Sequence, residues 1–187
     1  MRGTVIAISG TPGTGKSAVA EVLAKKLGAS LIRLNDLVEK TGIYEVDADG
    51  TKAVRVEDLR RAFRREIAGI SGPVVVEGHM SHLLPKGALT HVVVLRTRPR
   101  VIMRRLKARG YNEKKITENA EAEALDIILW EAVKEHGIER VFEIDTTGRK
   151  PEECADLLVK AIRGRLRLRP GRIRWLEKFL GDTFKRQ

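Results

Sequence analysis

Eight residues near the N-terminus, Gly10-Thr11-Pro12-Gly13-Thr14-Gly15-Lys16-Ser17, match the spacing G-x-x-x-x-G-K-[ST]. A chance match somewhere in a chain of this length is expected less than about once in a hundred sequences. Glycines at 10, 13 and 15 let the backbone curl so that successive N–H groups converge on phosphate oxygens. A helix opening at Lys16 adds its positive end, and Ala18 adds a first-turn N–H. Lys16 is then expected to span the β- and γ-phosphates and the Ser17 hydroxyl to meet Mg²⁺, so the motif predicts a site for a nucleoside triphosphate with magnesium. Gly10, Gly13, Thr14, Gly15, Lys16, Ser17 and Ala18 are its expected contacts.

Such a loop serves motors, switches and kinases alike. At 187 residues the chain is small for a motor, and it has no Asn-Lys-x-Asp tetrapeptide of the kind that reads guanine. Arg105 and Arg109 are four apart in a helical pattern and so share a side. Two guanidinium groups fixed there suit the charge of a phosphoryl group in transfer. The following Arg109-Gly-Tyr-Asn-Glu-Lys-Lys-Ile-Thr-Glu-Asn119 is polar, basic and glycine-hinged, the composition of a lid that excludes water.

The elements that position these residues follow from hydrophobic periodicity. Thr4–Ser9, Ser30–Leu34, Val74–Val76, His91–Leu95 and Val141–Ile144 read as strands, several of them continuous apolar runs as in parallel strands covered on both faces. Helices are expected over Lys16–Leu27, Glu57–Ile67, Pro99–Arg109, Thr117–His136 and Pro151–Ile162. In the long Thr117–His136 pattern, Ala124, Leu125, Ile128, Leu129 and Val133 form one stripe. Strand–helix alternation of this kind predicts a three-layer α/β domain with a parallel sheet flanked by helices.

Composition bounds the rest. The chain is 42% hydrophobic and 33% charged with one cysteine, which excludes intrinsic disorder and an intrachain disulfide. Cys154 falls in a helical pattern and reads as a small apolar filler. No apolar run approaches a membrane span and no secretory signal is evident, so a cytoplasmic protein without membrane attachment is expected. The net charge is +11; residues 163–187 hold nine basic residues against two acidic ones, which is +7 of that total. The domain is expected over 1–162, followed by a basic extension at 163–187 whose Ile173, Leu176, Phe179, Leu180 and Phe184 form an apolar stripe. A basic tail suits an acidic partner such as RNA.

Gly10–Ser17, Glu77-Gly78-His79 after the third strand, and the lid Arg109–Asn119 together resemble the adenylate kinase isoenzyme six family, over roughly residues 1–162. That family includes the coilin-interacting nuclear ATPase of animals. The resemblance implies a P-loop NTPase fold of the nucleoside monophosphate kinase type, and a broad-specificity nucleoside monophosphate kinase with ATPase activity. It also implies a role in late small-subunit ribosome maturation and rRNA processing, through binding the eleventh universal small-subunit protein. By this resemblance Gly13, Gly15, Lys16, Ser17 and Ala18 contact ATP and Arg109 is the lid arginine. Where the family commonly has Asp-x-His, Glu77 would hold magnesium through water and His79 would orient an attacking water. His82, three residues on, lacks the further ligands of a metal site. Asp145-Thr-Thr-Gly148 corresponds to the adenine loop, residues 30–70 to the monophosphate lobe, and residues 108–118 to the lid. Asn35 and Asp36 open the monophosphate lobe, and one of Arg60, Arg61, Arg64 and Arg65 is expected to meet the acceptor phosphate. An ATP-driven assembly factor with little kinase turnover, or a kinase for another metabolite such as shikimate, are the alternative readings. The two main activities can coexist in one chain.

Overall fold

In the computed structural model, residues 3–46 and 52–184 are described. Five strands form one parallel sheet: β1 (Val5–Ser9), β2 (Ser30–Arg33), β5 (Val74–Glu77), β6 (His91–Arg96) and β7 (Val141–Asp145), in the order β2-β5-β1-β6-β7. Alternating side chains explain the continuous apolar runs. Val5 and Ala7 face one core with Val74, Val76, Val92 and Val94, whereas Ile6 and Ile8 face the other with Val75, Val93 and Leu95. The first core is closed by α2 (Leu34–Thr41), α3 (Val56–Ala68) and α6 (Ile127–His136); α1 (Lys16–Leu27) and α7 (Pro151–Ile162) close the second. Cys154 is a buried member of that second core.

Ser30–Leu34 ends as a strand at Arg33, and α2 begins at Leu34. A hairpin of β3 (Tyr44–Val46) and β4 (Lys52–Val54) follows, and the monophosphate-lobe segment thus carries structure of its own. The single helix expected over Thr117–His136 is two helices, α5 (Glu113–Ala124) and α6. Asp126 breaks it with φ 58, a left-handed conformation that Asp tolerates better than most residues, and its carboxylate accepts a hydrogen bond from Arg96. The break turns Leu125 off the core stripe, leaving it 55% exposed. Helix α4 (Pro99–Ala108) packs on α5 through Ile102, Leu106 and Ile116. The segment expected as a lid is therefore mostly helix. Only residues 109–112 are loop, and Asn112 caps α5 by accepting from Lys115 N at 2.8 Å.

Packing continues past residue 162. Leu168 lies against the second core, and its carbonyl accepts from Glu143 N at 3.3 Å. Trp175 is buried, with the Arg98 guanidinium 5.9 Å from its ring centre. Of the apolar stripe, Leu176 and Leu180 on the last helix, α8 (Leu176–Phe184), are exposed and Ile173 and Phe179 are half-buried, while the Phe184 side chain lies outside the described residues. Among the described residues no helix is long and apolar enough to cross a membrane.

Candidate active site

The loop Gly10–Ser17 joins β1 to α1 at the C-terminal edge of the sheet, where open parallel sheets bind ligands. Gly10 has φ 141, and a Cβ there would sit 2.5 Å from the Leu95 carbonyl oxygen. Gly15, at φ 91, needs the left-handed region to start α1. The hydroxyl of Thr14 is turned inward, donating to the Thr11 carbonyl at 2.8 Å. The Thr14 N–H donates to the same carbonyl at 3.2 Å and the Thr14 carbonyl accepts from Thr146 Oγ1 at 2.9 Å, so Thr14 braces the loop.

Lys16 Nζ donates to the carbonyls of Gly10 (2.9 Å) and Thr11 (3.2 Å), so the ammonium lies across the loop mouth. Burial lowers its pKa to about 8, against the pull of the Glu77 and Glu123 carboxylates and with a further push from Arg109. The folded value lies below the ordinary 10.5, so between about 8 and 10.5 the unfolded chain holds the extra proton. The stability of the ligand-free protein through this group therefore rises as pH climbs across that window. A phosphate beside the ammonium favours its charged form. Mg·ATP binding is thus expected to take up a proton at about pH 8.5, and little at about pH 6.5. Calorimetry in buffers of different ionisation heat measures this uptake, which Lys16→Ala should abolish.

Ser17 Oγ donates to Glu77 Oε1 at 3.3 Å, and Glu77 is 8% exposed at the end of β5. These are hard oxygen donors on one side of the loop, the set Mg²⁺ takes when phosphates and water complete its shell, so the residues present fit the ion. Among the described residues no group of three or more His, Cys, Asp or Glu could hold a metal.

Arg105 and Arg109 divide. Arg105 Nη1 donates to the Gly13 carbonyl at 2.7 Å and buttresses the loop, while Arg109, with Tyr111, lines the open cleft opposite Lys16. That cleft, of about 520 Å³, is also lined by Gly13, Gly15, Ser17 and Ala18. The Asp145–Gly148 turn is bolted beneath it: the Thr146 hydroxyl lies 2.9 Å from the Thr14 carbonyl and 2.5 Å from Thr97 Oγ1.

A second cavity, of about 340 Å³, opens beside the first, and Asn35 and His79 line both. Its other walls include Leu34, Val38, Val54, Leu59 and Met80, with Glu39 and Lys52 as its charges. Burial, the Lys16 ammonium and His82 hold the His79 imidazole below its ordinary pKa. None of the four α3 arginines lines this cavity: Arg60 is held by the Leu83 carbonyl and Glu135, Arg61 pairs with Asp58, and Arg64 lines a depression at the opposite end of the sheet. Among the described residues the lysine lining the cavity is Lys52, which pairs with Glu39 and lies 4.2 Å from the centre of the Tyr44 ring. His82 is a buried hydrogen-bond bridge between Ser9 Oγ (2.8 Å) and Glu131 (2.9 Å).

Sequence reasoning missed Thr11, Arg96, Glu123 and Glu143, whose polar side chains are all buried. Thr11 donates to Glu123 Oε2 at 2.7 Å, and Arg96 bonds Glu123 and Glu143 at 2.8 Å each. No periodicity distinguishes these charges from surface ones; the one available signal was Arg96 closing an otherwise apolar strand.

A five-stranded parallel sheet in this order, with the loop at its edge and a helical pair above it, defines a P-loop kinase fold. Solved structures agree: the shikimate kinase from Acinetobacter baumannii in complex with shikimate has a TM-score of 0.60 at 17% identity, over 87% of this chain and 94% of that one. The shikimate kinase from Bacteroides thetaiotaomicron has a TM-score of 0.57 at 16% identity, over 86% and 98%. A family profile described as "AAA domain" matches residues 6–126. Archaeal relatives bear the name "Putative adenylate kinase". That of Pyrococcus furiosus is 43% identical over 94% of this chain and 93% of its own length. That of Archaeoglobus fulgidus is 44% identical over 93% of each. That of Methanocaldococcus jannaschii is 38% identical over 93% and 94%. The chain belongs to this family of archaeal proteins.

Proposed function

We propose that the chain is a nucleoside monophosphate kinase that moves the γ-phosphoryl group of ATP to AMP or a related monophosphate. The observation that carries this reading is the pair of adjoining cavities sharing Asn35 and His79, with the phosphate loop on one side and a mostly apolar chamber on the other. Family and fold support phosphotransfer; the second chamber, with Asn35 and Glu39 as polar groups on an apolar wall, suits a nucleobase. An acceptor phosphate oxygen attacks the γ-phosphorus as the bond to the β–γ bridging oxygen breaks, and ADP leaves with that electron pair. Loop amides and Lys16 hold the donor phosphates, and Arg109 meets the charge on the transferring group as its loop closes. Mg²⁺, when bound near Ser17 and Glu77, neutralises phosphate charge. His79, kept neutral at the boundary of the chambers, orients the acceptor or, in its absence, a water.

A coupled assay of ADP formation across AMP, CMP, GMP, UMP, dAMP and shikimate, with water alone as control, tests the reading. Turnover only with shikimate, or only with water, rejects it. Arg109→Ala is expected to slow ADP formation from ATP and AMP by about a hundredfold or more; a wild-type rate would remove Arg109 from the transfer step.

The same proposal includes a role in small-subunit maturation, in contact with the eleventh universal small-subunit protein or pre-rRNA. The extension supports it: Arg163, Arg165, Arg167, Arg169, Arg172 and Arg174 are exposed, while Leu166 and Leu168 turn toward the domain. Removing the chain after Ile162 would uncover that packed face, so charge substitution is the cleaner test. Arg165→Ser, Arg167→Ser and Arg169→Ser together should weaken capture of the ribosomal protein or RNA; unchanged capture of both rejects the contact.

A further inference from the structure

A buried charge cluster connects the phosphate loop to the far end of the lid helix. Arg96, 1% exposed at the end of β6, donates from Nε to Glu123 Oε1 at 2.8 Å, from Nη1 to Glu143 Oε1 at 2.8 Å, and from Nη2 to the Glu123 carbonyl at 2.8 Å and to Asp126. Glu123, 2% exposed in the last turn of α5, has both oxygens engaged. Its Oε1 also accepts from Thr97 N at 2.9 Å, and its Oε2 accepts from Thr11 Oγ1 at 2.7 Å. Thr11 in turn offers its carbonyl to Lys16 Nζ at 3.2 Å and to Thr14 N at 3.2 Å. One residue therefore separates the Glu123 carboxylate from the lysine of the phosphate cradle.

A carboxylate beside a site for polyphosphate opposes binding by its charge. Arg96, shared with Glu143 and Asp126, offsets part of that charge, and its hydrogen bond with that of Thr97 N fixes the carboxylate, so Glu123 meets the loop as an acceptor of fixed direction. The loop needs such a fixture: regular ladders do not hold it, and three of its residues, Gly10, Gly13 and Gly15, have positive φ. We propose that Glu123 is a positioning residue of the phosphate site, holding Thr11 so that the loop amides and Lys16 converge on the triphosphate. Because α5 is capped by Asn112, beside the cleft residues Arg109 and Tyr111, and carries Glu123 in its last turn, one helix touches both lid and loop.

The proposal rests on the reading of this loop as a triphosphate site. Its test is a double-mutant cycle on the full chain, read by Mg·ATP calorimetry, acceptor KM and thermal melting. Thr11→Val keeps the shape and the charge cluster but removes the donor. It should weaken Mg·ATP about tenfold or more, the worth of a hydrogen bond to a charged group, and leave acceptor KM unchanged. Thr11→Ser should regain the affinity, which a purely structural role of the methyl group would not allow. Glu123→Gln should cost a similar factor alone, and about twofold or less when added to Thr11→Val. Wild-type affinity in Thr11→Val, or losses that simply multiply in the double variant, overturns the proposal. If Glu123→Gln fails to fold, Thr11→Val and Thr11→Ser alone decide. If the unsubstituted chain gives no heat with Mg·ATP, the triphosphate reading falls by itself. Amide hydrogen exchange at residues 11–16 then decides the role of Glu123: about tenfold faster exchange in Thr11→Val upholds the fixture, and unchanged exchange removes it.

Discussion

Lys16→Ala is expected to slow ATP-dependent phosphoryl transfer by about 10²–10³-fold while the fold survives. The ammonium sits at the mouth of the loop and, among the described residues, donates to two backbone carbonyls, of which that of Thr11 also accepts from Thr14. Binding a triphosphate would exchange those neutral acceptors for phosphate oxygens, a charge-assisted contact roughly twice as strong. Charge accumulates on the β–γ bridging oxygen as the bond breaks, so the ammonium helps the transition state more than bound ATP. Hence kcat should fall further than ATP affinity. Removing a buried cation also relieves its desolvation, so the variant's melting temperature should match or exceed that of the unsubstituted chain. Steady-state kinetics beside a thermal melt give both readouts. An unchanged kcat would mean that the loop binds an anion without serving transfer.

Arg96→Met should be the most destabilising single change away from the cleft. The side chain is among the largest fully buried ones, and its loss would strand Glu123 and Glu143, which are 2% and 1% exposed. Breaking a buried pair by removing one partner costs about 3–5 kcal/mol, which for a chain of this size lowers the melting temperature by about 6–20 °C. Burial already pushes the Glu143 carboxyl above the ordinary carboxylate range, held back by the Arg172 amide and the Arg96 guanidinium. Without Arg96 it climbs further, and a carboxyl whose folded pKa is raised favours folding when protonated. The deficit of Arg96→Met should therefore shrink as pH falls toward the carboxyl range. Adding Glu123→Gln and Glu143→Gln should restore part of the loss. A melting temperature within about 2 °C of the unsubstituted chain would show that water reaches the cluster and that it is not buried in solution.

The two cases differ in how visible they were beforehand. Lys16 stands in a local pattern: loop, strand and helix are contiguous, and the glycines mark where the backbone must turn. The sheet was readable for a related reason, since strands covered on both faces are built mainly from apolar residues and appear as apolar runs. Helix boundaries were harder. The division of the long helical pattern at Asp126 depends on Arg96, 30 residues earlier, offering a partner to a left-handed aspartate. Likewise Glu57–Ile67 was readable as a helix, but not that Arg60 and Arg61 bind Leu83, Glu135 and Asp58 instead of lining the second chamber.

Read by itself, the chain determined a phosphate loop between a strand and a helix, a parallel α/β sheet, and an unevenly basic C-terminal end. These are properties of neighbours in sequence, or of periods of two and 3.6 residues. Long-range assembly settled the rest. It made Arg105 a brace and Arg109 a wall, joined two chambers at Asn35 and His79, and packed the start of the basic end onto the domain. It also buried a carboxylate against Thr11 from 112 positions away. A charged side chain is tolerated in the interior only where its partners converge, and that convergence exists in space without leaving any period in the sequence.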